Sequence, residues 1–186
     1  KIIIASTRNE RKGIAVANWF TKKVMEHELF ETEVLDLKEI NLPMLDEPNH
    51  PKLQQYQYQH TKSWSRKIAE ADAYVFVIPE YNYGCPPALV NAIDYVFHEW
   101  HYKPAALVSY GGISGGLRSA QMSKLILTTV KLMPLTEAIS ITFFADKINR
   151  EGVFESDQNI DKSYHIMMAE LVKLTKGFKY MREHLN

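Results

Sequence analysis

Short apolar runs alternate along this chain with longer segments in which apolar residues recur every three or four positions. A parallel strand buried on both faces gives a nearly continuous apolar run, whereas a helix gives the longer period. The run at residues 73–79 is the strongest strand signal. The pattern predicts four further strands, at 2–5, 33–37, 105–110 and 138–143, and helices at 13–29, 61–71, 86–98, 116–132 and 160–184.

Five strands, each followed by a helix or a long connection, predict one α/β domain over residues 1–186 with a doubly wound parallel sheet. Right-handed crossovers place helices on both faces of such a sheet. The polar, proline-containing segment 41–59 is predicted to be mostly loop. Ligands of these folds bind beyond the carboxyl ends of the strands. The segments after strands one, three and four are therefore the candidate site.

Charge and cysteine content narrow the range of functions. The chain has 22 basic and 22 acidic residues, and this balance provides no field for nucleic acid or an anionic membrane. No apolar run approaches the ~20 residues of a membrane span. A lone cysteine, Cys85, excludes an internal disulfide, and the scattered histidines do not suggest a metal site. We therefore expect a cytoplasmic protein without a signal peptide, a metal, or nucleic-acid or membrane partners.

The first candidate loop, residues 6–13, has the chemistry of a phosphate site. It offers two hydroxyls, three basic side chains and the start of a helix. It lacks the spacings of a nucleoside triphosphate loop and of a dinucleotide fingerprint, so a phosphomonoester fits better. The alternative is an ordinary helix start with solvated basic side chains.

The second loop, residues 79–87, places polar and aromatic side chains after the central strand. Its backbone groups suit the polar edge of a heterocycle, and its tyrosines suit the faces. The alternative is a turn that covers the sheet edge. Cys85 lacks the arginine six positions on that a low-molecular-weight phosphatase needs, since Asn91 stands there. A buried, unreactive thiol is expected.

The third loop, residues 109–116, contains four of the eight glycines of the chain. Glycine lets the backbone approach a flat ligand closely. The alternative is a plain flexible turn.

Together the three loops resemble the NAD(P)H-dependent FMN reductase family, which includes quinone, azo-dye and chromate reductases. Ser6-Thr7-Arg8 with Arg11 resembles its phosphate loop. Pro79-Glu80-Tyr81-Asn82, followed by Pro86-Pro87 and residues 91–95, is similar to its flavin-ring signature, and Ser109-Tyr110-Gly111-Gly112 to its third loop. The resemblance implies a flavodoxin-like fold with strand order 2-1-3-4-5 and non-covalently bound FMN.

The resemblance also implies roles for individual residues. The phosphate would be held by Ser6, Arg8, Gly13 and Ile14. The isoalloxazine ring would be lined by Pro79, Glu80, Tyr81 and Asn82, mostly through backbone groups, and contacted on its other side by Ser109, Tyr110, Gly111 and Gly112.

The implied reaction transfers hydride from NAD(P)H to the flavin and then electrons to a small-molecule acceptor. It needs no side chain as catalytic acid or base, so Glu80 is expected to be solvated or at the ring edge. The resemblance further implies a homodimer or homotetramer whose partner subunit helps to close the flavin pocket. Exposed apolar residues of the helix at 86–98 would suit that interface.

Two other functions stay open at this point. A flavodoxin-type electron carrier would share the fold, although such carriers are typically acidic and this chain is neutral. A flavin-dependent protein-binding module is the second alternative. The sequence does not distinguish NADH from NADPH or identify the acceptor.

Overall fold

The predicted parallel sheet is present, with the predicted strand order. The computed structural model describes residues 1–185. Its five strands are all parallel and lie in the order β2-β1-β3-β4-β5, as a flavodoxin-like fold requires. They are β1 (Ile2–Ile4), β2 (Val34–Asp36), β3 (Tyr74–Pro79), β4 (Lys103–Tyr110) and β5 (Leu132–Ile141).

Helices cover both faces of the sheet. The helices are α1 (Ile14–Glu26), α2 (Leu37–Ile40), α3 (Gln59–Ala69), α4 (Pro87–Asp94), α5 (Leu117–Thr129) and α6 (Gln158–His184). Alternate strand residues point to opposite faces. In β1, Ile2 and Ile4 pack with α1 and α6, whereas Ile3 packs with α3, α4 and α5. Two apolar cores result, one on each face.

Strand β5 is longer than the sequence predicted. It begins at Leu132 instead of residue 138, and α5 ends at Thr129 instead of 132. The polar residues Thr136 and Glu137 interrupt the apolar run, and Pro134 lies within it. An edge strand tolerates such residues because one side of it carries no ladder, so the apolar pattern weakens there.

The predicted helix at 86–98 is shorter, and its large apolar side chains are not exposed as expected. It consists of α4 followed by a 3₁₀ turn, His98–Trp100. Leu89, Ile93 and Val96 are each 1% exposed, so they belong to the core and offer no apolar surface to a partner. Pro87 occupies the first helical position, where its missing N–H costs little.

The segment 41–59 is irregular, as predicted, but it is held firmly against α4. The side-chain amide of Asn91 donates to the carbonyl of Pro43 (2.7 Å) and accepts from the N–H of Leu45 (2.9 Å). Tyr95 donates to the same Pro43 carbonyl (3.1 Å). Residues 91 and 95 of the familial motif therefore shape this segment.

Candidate functional site

The three candidate loops meet at the carboxyl edge of β1, β3 and β4. They enclose a cleft of about 330 Å³, within the range of small-molecule pockets. Another cavity, of about 410 Å³, lies at the opposite edge of the sheet, where ligands of parallel sheets do not usually bind. Nine of the predicted site residues line the cleft: Ser6, Arg8, Gly13, Pro79, Glu80, Tyr81, Tyr110, Gly111 and Gly112.

Three predicted site residues lie outside the cleft lining, and four lining residues were not among the predicted ones. Ile14, Asn82 and Ser109 do not line it, whereas Glu10, Arg11, Lys12 and Phe144 do. Phe144 follows β5, a strand end that the sequence reasoning left out. The two consecutive phenylalanines at 143–144, directly after the strand, are the sequence signal that would have indicated Phe144.

The first loop is shaped by Arg11 and leaves Arg8 available. The Arg11 guanidinium donates to the Ser6 carbonyl and pairs with the carboxylate of Asp36 at the end of β2. Arg8 and Lys12 are exposed at the cleft, and neither takes part in a salt bridge within residues 1–185. Two of the three basic side chains therefore remain free to meet an anion.

Two tyrosine hydroxyls reach the same loop. The hydroxyls of Ser6 and Tyr81 share a hydrogen bond of 2.8 Å. Tyr110 is buried, and its ring lies against Gly13 so closely that a Cβ there would overlap the phenol hydroxyl. Burial raises the pKa of Tyr110, which keeps this hydroxyl protonated. Hydroxyl donors, the Arg8 cation and the positive end of α1 form a donor set that fits a phosphomonoester.

The second loop is a tight two-residue turn. The N–H of Tyr81 donates to the Gly84 carbonyl (3.0 Å), and the N–H of Gly84 donates back to Tyr81 (2.9 Å). Asn82 and Tyr83 between them have positive φ angles of 49° and 69°. Such turns require positive φ at both central residues, which is unfavourable for a large side chain such as tyrosine.

The side chain of Glu80 is not solvated, but Glu80 lines the cleft, so the ring edge stays its predicted position. The side chain is 9% exposed. It accepts hydrogen bonds from the Ser114 hydroxyl (2.8 Å) and the Arg118 guanidinium (2.7 Å). Burial acts to raise the pKa of Glu80, but these hydrogen bonds outweigh it and lower the pKa. Glu80 is therefore an ionised link between the second and third loops, and its partner Arg118 was missed because it lies far along the chain.

The third loop presents Gly112 to the cleft and turns Ser109 away from it. The Ser109 hydroxyl is buried and donates to the Gly115 carbonyl (2.8 Å), so it shapes the loop from beneath. The Gly112 carbonyl accepts from the N–H of Phe143 (3.0 Å). A Cβ at Gly112 would meet no atom within 4 Å. The open face of Gly112 therefore suits close approach by a flat ligand.

Cys85 belongs to one of the two apolar cores of the molecule. Cys85 is buried and unpaired, as predicted, and burial raises the pKa of its thiol. Within residues 1–185, no group of three or more His, Cys, Asp or Glu side chains is arranged to hold a metal ion. None of the helices in that part of the chain is both long and apolar enough to cross a bilayer.

The chain is similar in sequence to several known proteins and similar in fold to solved structures. An NAD(P)H-dependent FMN reductase of Schizosaccharomyces pombe is 38% identical over 184 residues, which span 98% of this chain and 89% of that protein. An NAD(P)H:quinone oxidoreductase of Solanum tuberosum is 35% identical over 99 residues, 52% of this chain and 50% of that one. The flavoenzyme FerB, an NAD(P)H:(acceptor) oxidoreductase from Paracoccus denitrificans, superposes with a TM-score of 0.74 at 19% identity, over 95% of this chain and 96% of that chain.

The FerB superposition supports the flavodoxin-like fold, and the sequence matches identify the family. Residues 1–146 match the family model described as NADPH-dependent FMN reductase. This range contains all three loops. The prediction drawn from those loops is confirmed: the chain belongs to the NADPH-dependent FMN reductase family.

Proposed function

We propose that the cleft between the three loops is where this FMN-dependent NAD(P)H oxidoreductase holds its flavin. The observation that carries the proposal is the convergence of a phosphate-type donor set and an open glycine face in one cleft at the carboxyl edge of the sheet. The first loop supplies the donors, and the third loop supplies the open face. Residues 79–81 of the second loop line the same cleft as the first and third loops.

Ser6, Arg8, Gly13 and Ile14 are proposed to hold the phosphate, together with the positive end of α1. Each hydrogen bond to a charged group contributes about 1.5–3 kcal/mol. The structure adds one donor that the sequence did not indicate. The Tyr81 hydroxyl, 2.8 Å from that of Ser6, is placed to share this role.

The ring is proposed to lie between the second and third loops. Pro79, Glu80 and Tyr81 would flank one side through backbone groups, with Tyr110, Gly111 and Gly112 on the other. Asn82 and Ser109 lie outside the cleft lining and are proposed to shape the two loops. Bound FMN supplies the hydride and electron chemistry, and the protein supplies position and exclusion of water. The carboxylate of Glu80 is engaged by Arg118, so we assign no side chain as a catalytic acid or base.

Small planar molecules are the proposed electron acceptors. The relative from Solanum tuberosum is named as a quinone oxidoreductase, which supports quinones as one class. The cleft edge carries exposed apolar side chains, among them Ile113 and Phe143, that suit an aromatic acceptor.

We also propose that the protein acts in the cytoplasm.

A homodimer is proposed on the basis of α5. This helix turns the small residues Ser119 and Ser123 toward the core and leaves Leu117 and Leu125 exposed. A helix that exposes its large apolar residues indicates a contact surface. Because α5 begins directly after the third loop, a partner packed there would help to close the cleft.

The test is to purify the chain, release and identify any bound cofactor, and measure oxidation of NADH and NADPH with a quinone and with free flavin as acceptors. We expect bound FMN and turnover well above that of free FMN at the same concentration. Bound FMN without such turnover would favour an electron carrier or a flavin-dependent binding module. Absence of flavin binding at excess FMN would reject the site.

A further inference from the structure

The carboxylate of Glu80 accepts hydrogen bonds from the third loop and from the first turn of α5. One oxygen accepts from the Ser114 hydroxyl (2.8 Å) and from the backbone N–H of Arg118 (3.1 Å). The other accepts from the Arg118 guanidinium (2.7 Å). Glu80 of the second loop therefore caps the N-terminus of α5, the helix that follows the third loop.

The cap comes from another loop because α5 cannot supply its own. The first backbone N–H groups of a helix lack partners within it, and Ser, Thr, Asp or Asn before the helix usually accepts from them. Gly116 occupies that position with a φ of +79°. A Cβ there would lie 2.7 Å from the N–H nitrogen of Tyr110, so a side chain is excluded. The Glu80 carboxylate fills this role and also carries the charge that the positive helix end favours.

Arg118 contacts both sides of the tight turn. Its guanidinium lies 4.0 Å from the centre of the Tyr83 ring as well as against Glu80. Tyr83 is 70% exposed and holds the unfavourable φ of 69°. A cation over an aromatic face is attractive, so this contact opposes release of the turn. One residue of α5 therefore contacts the second loop at two points.

We propose that Arg118 is a positioning residue for the flavin ring, acting through Glu80 and Tyr83. It holds the second loop at a fixed distance from the third, and these loops flank the proposed ring position. The role rests on the proposed function. Since Arg118 contacts Glu80 and Tyr83 of the second loop, it should act on the ring portion of the ligand and not on the phosphate.

This distinction can be measured by comparing FMN with riboflavin, which has the same ring and no phosphate. Apoprotein of the full chain is titrated with each ligand, following flavin fluorescence, for Arg118→Met, Arg118→Lys and Glu80→Gln. Visible circular dichroism of the bound flavin and the melting temperature of the apoprotein are recorded in parallel. Lys173→Met, which breaks an exposed ion pair with Glu170 on α6, is the matched control.

We expect Arg118→Met to weaken both ligands by a similar factor, about tenfold, and to change the dichroism of the bound flavin. Glu80→Gln should resemble it, because both changes break the same pair. Arg118→Lys should restore part of the affinity, since it keeps the charge but loses the planar guanidinium. Lys173→Met should leave both affinities unchanged.

Unchanged affinities in folded Arg118→Met would overturn the proposal, even with a lower melting temperature, because Arg118 would then serve stability alone. A lower affinity for FMN with an unchanged affinity for riboflavin would also overturn the proposal, because Arg118 would then act on the phosphate. If Arg118→Met does not fold, Glu80→Gln and Tyr83→Ala are judged by the same criteria. Wild-type protein that binds neither ligand would reject the proposed function itself, and this role with it.

Discussion

Replacement of Gly112 by valine tests directly whether the third loop approaches the flavin ring. The substitution adds three carbon atoms at the open face of the cleft. A Cβ at this position meets no atom within 4 Å, and Gly112 is not among the residues with positive φ. The folded apoprotein should therefore accept the change, with the unfolding free energy altered by no more than about 0.5 kcal/mol.

The cost should appear only when the ligand binds. Forcing extra methyl groups into a close contact costs about 1–3 kcal/mol, which weakens binding by roughly five- to 150-fold. Gly112→Ala, with one added carbon, should fall between wild type and Gly112→Val. A graded loss of affinity at constant stability is the signature of a contact with the ligand.

The assay is titration of apoprotein with FMN, alongside urea unfolding of the same samples. Gly177→Ala is the control, because Gly177 is exposed on α6 and a Cβ there also meets nothing within 4 Å. It should raise stability by about 0.5–1 kcal/mol and leave FMN affinity alone. Normal FMN affinity in Gly112→Val would refute the placement of the ring against the third loop.

Three further changes test the first loop and the core. Arg8→Ala should lower the affinity for FMN by one to two orders of magnitude, because a charged phosphate contact contributes about 1.5–3 kcal/mol, and it should leave the affinity for riboflavin unchanged. If Arg8→Ala binds FMN as tightly as wild type does, Arg8 does not contact the phosphate. Gly13→Ala should lower the unfolding free energy by about 1–3 kcal/mol, because its Cβ overlaps the Tyr110 hydroxyl, and urea unfolding that shows no loss would contradict this packing. Burial lowers the pKa of Lys103 to about 8 from its usual 10.5. Between these pH values the unfolded chain binds more protons than the folded one, so the unfolding free energy rises with pH. Chemical unfolding at pH 7.5 and 10 should show this rise in wild type and a smaller one in Lys103→Met, and equal rises in the two proteins would contradict the shift.

The position of the site could be predicted from sequence because it depends on topology. Buried strands are apolar runs, and handedness rules fix which strand ends share an edge. The run at 73–79 became β3 (Tyr74–Pro79), and the loops after β1, β3 and β4 meet in one cleft. The family assignment and the strand order followed from these same segments.

The direction of each side chain could not be predicted, because it depends on contacts between distant segments. Ser109 and Glu80 belong to the right loops, but the sequence did not indicate that their side chains bind Gly115 and Arg118. Position along a loop gives no information on which way a residue turns. Helix α4 was overestimated for a related reason: the apolar pattern continues through Val96, although the helix ends at Asp94.

The parts of the cleft come from three strand ends that are far apart in sequence. They become neighbours only after β1, β3 and β4 have paired, so no short stretch of nascent chain can recognise FMN. The polypeptide must then complete its fold before it takes up flavin. A shortage of FMN should leave folded but inactive apoprotein, and abundant FMN should raise the stability of the native state by mass action.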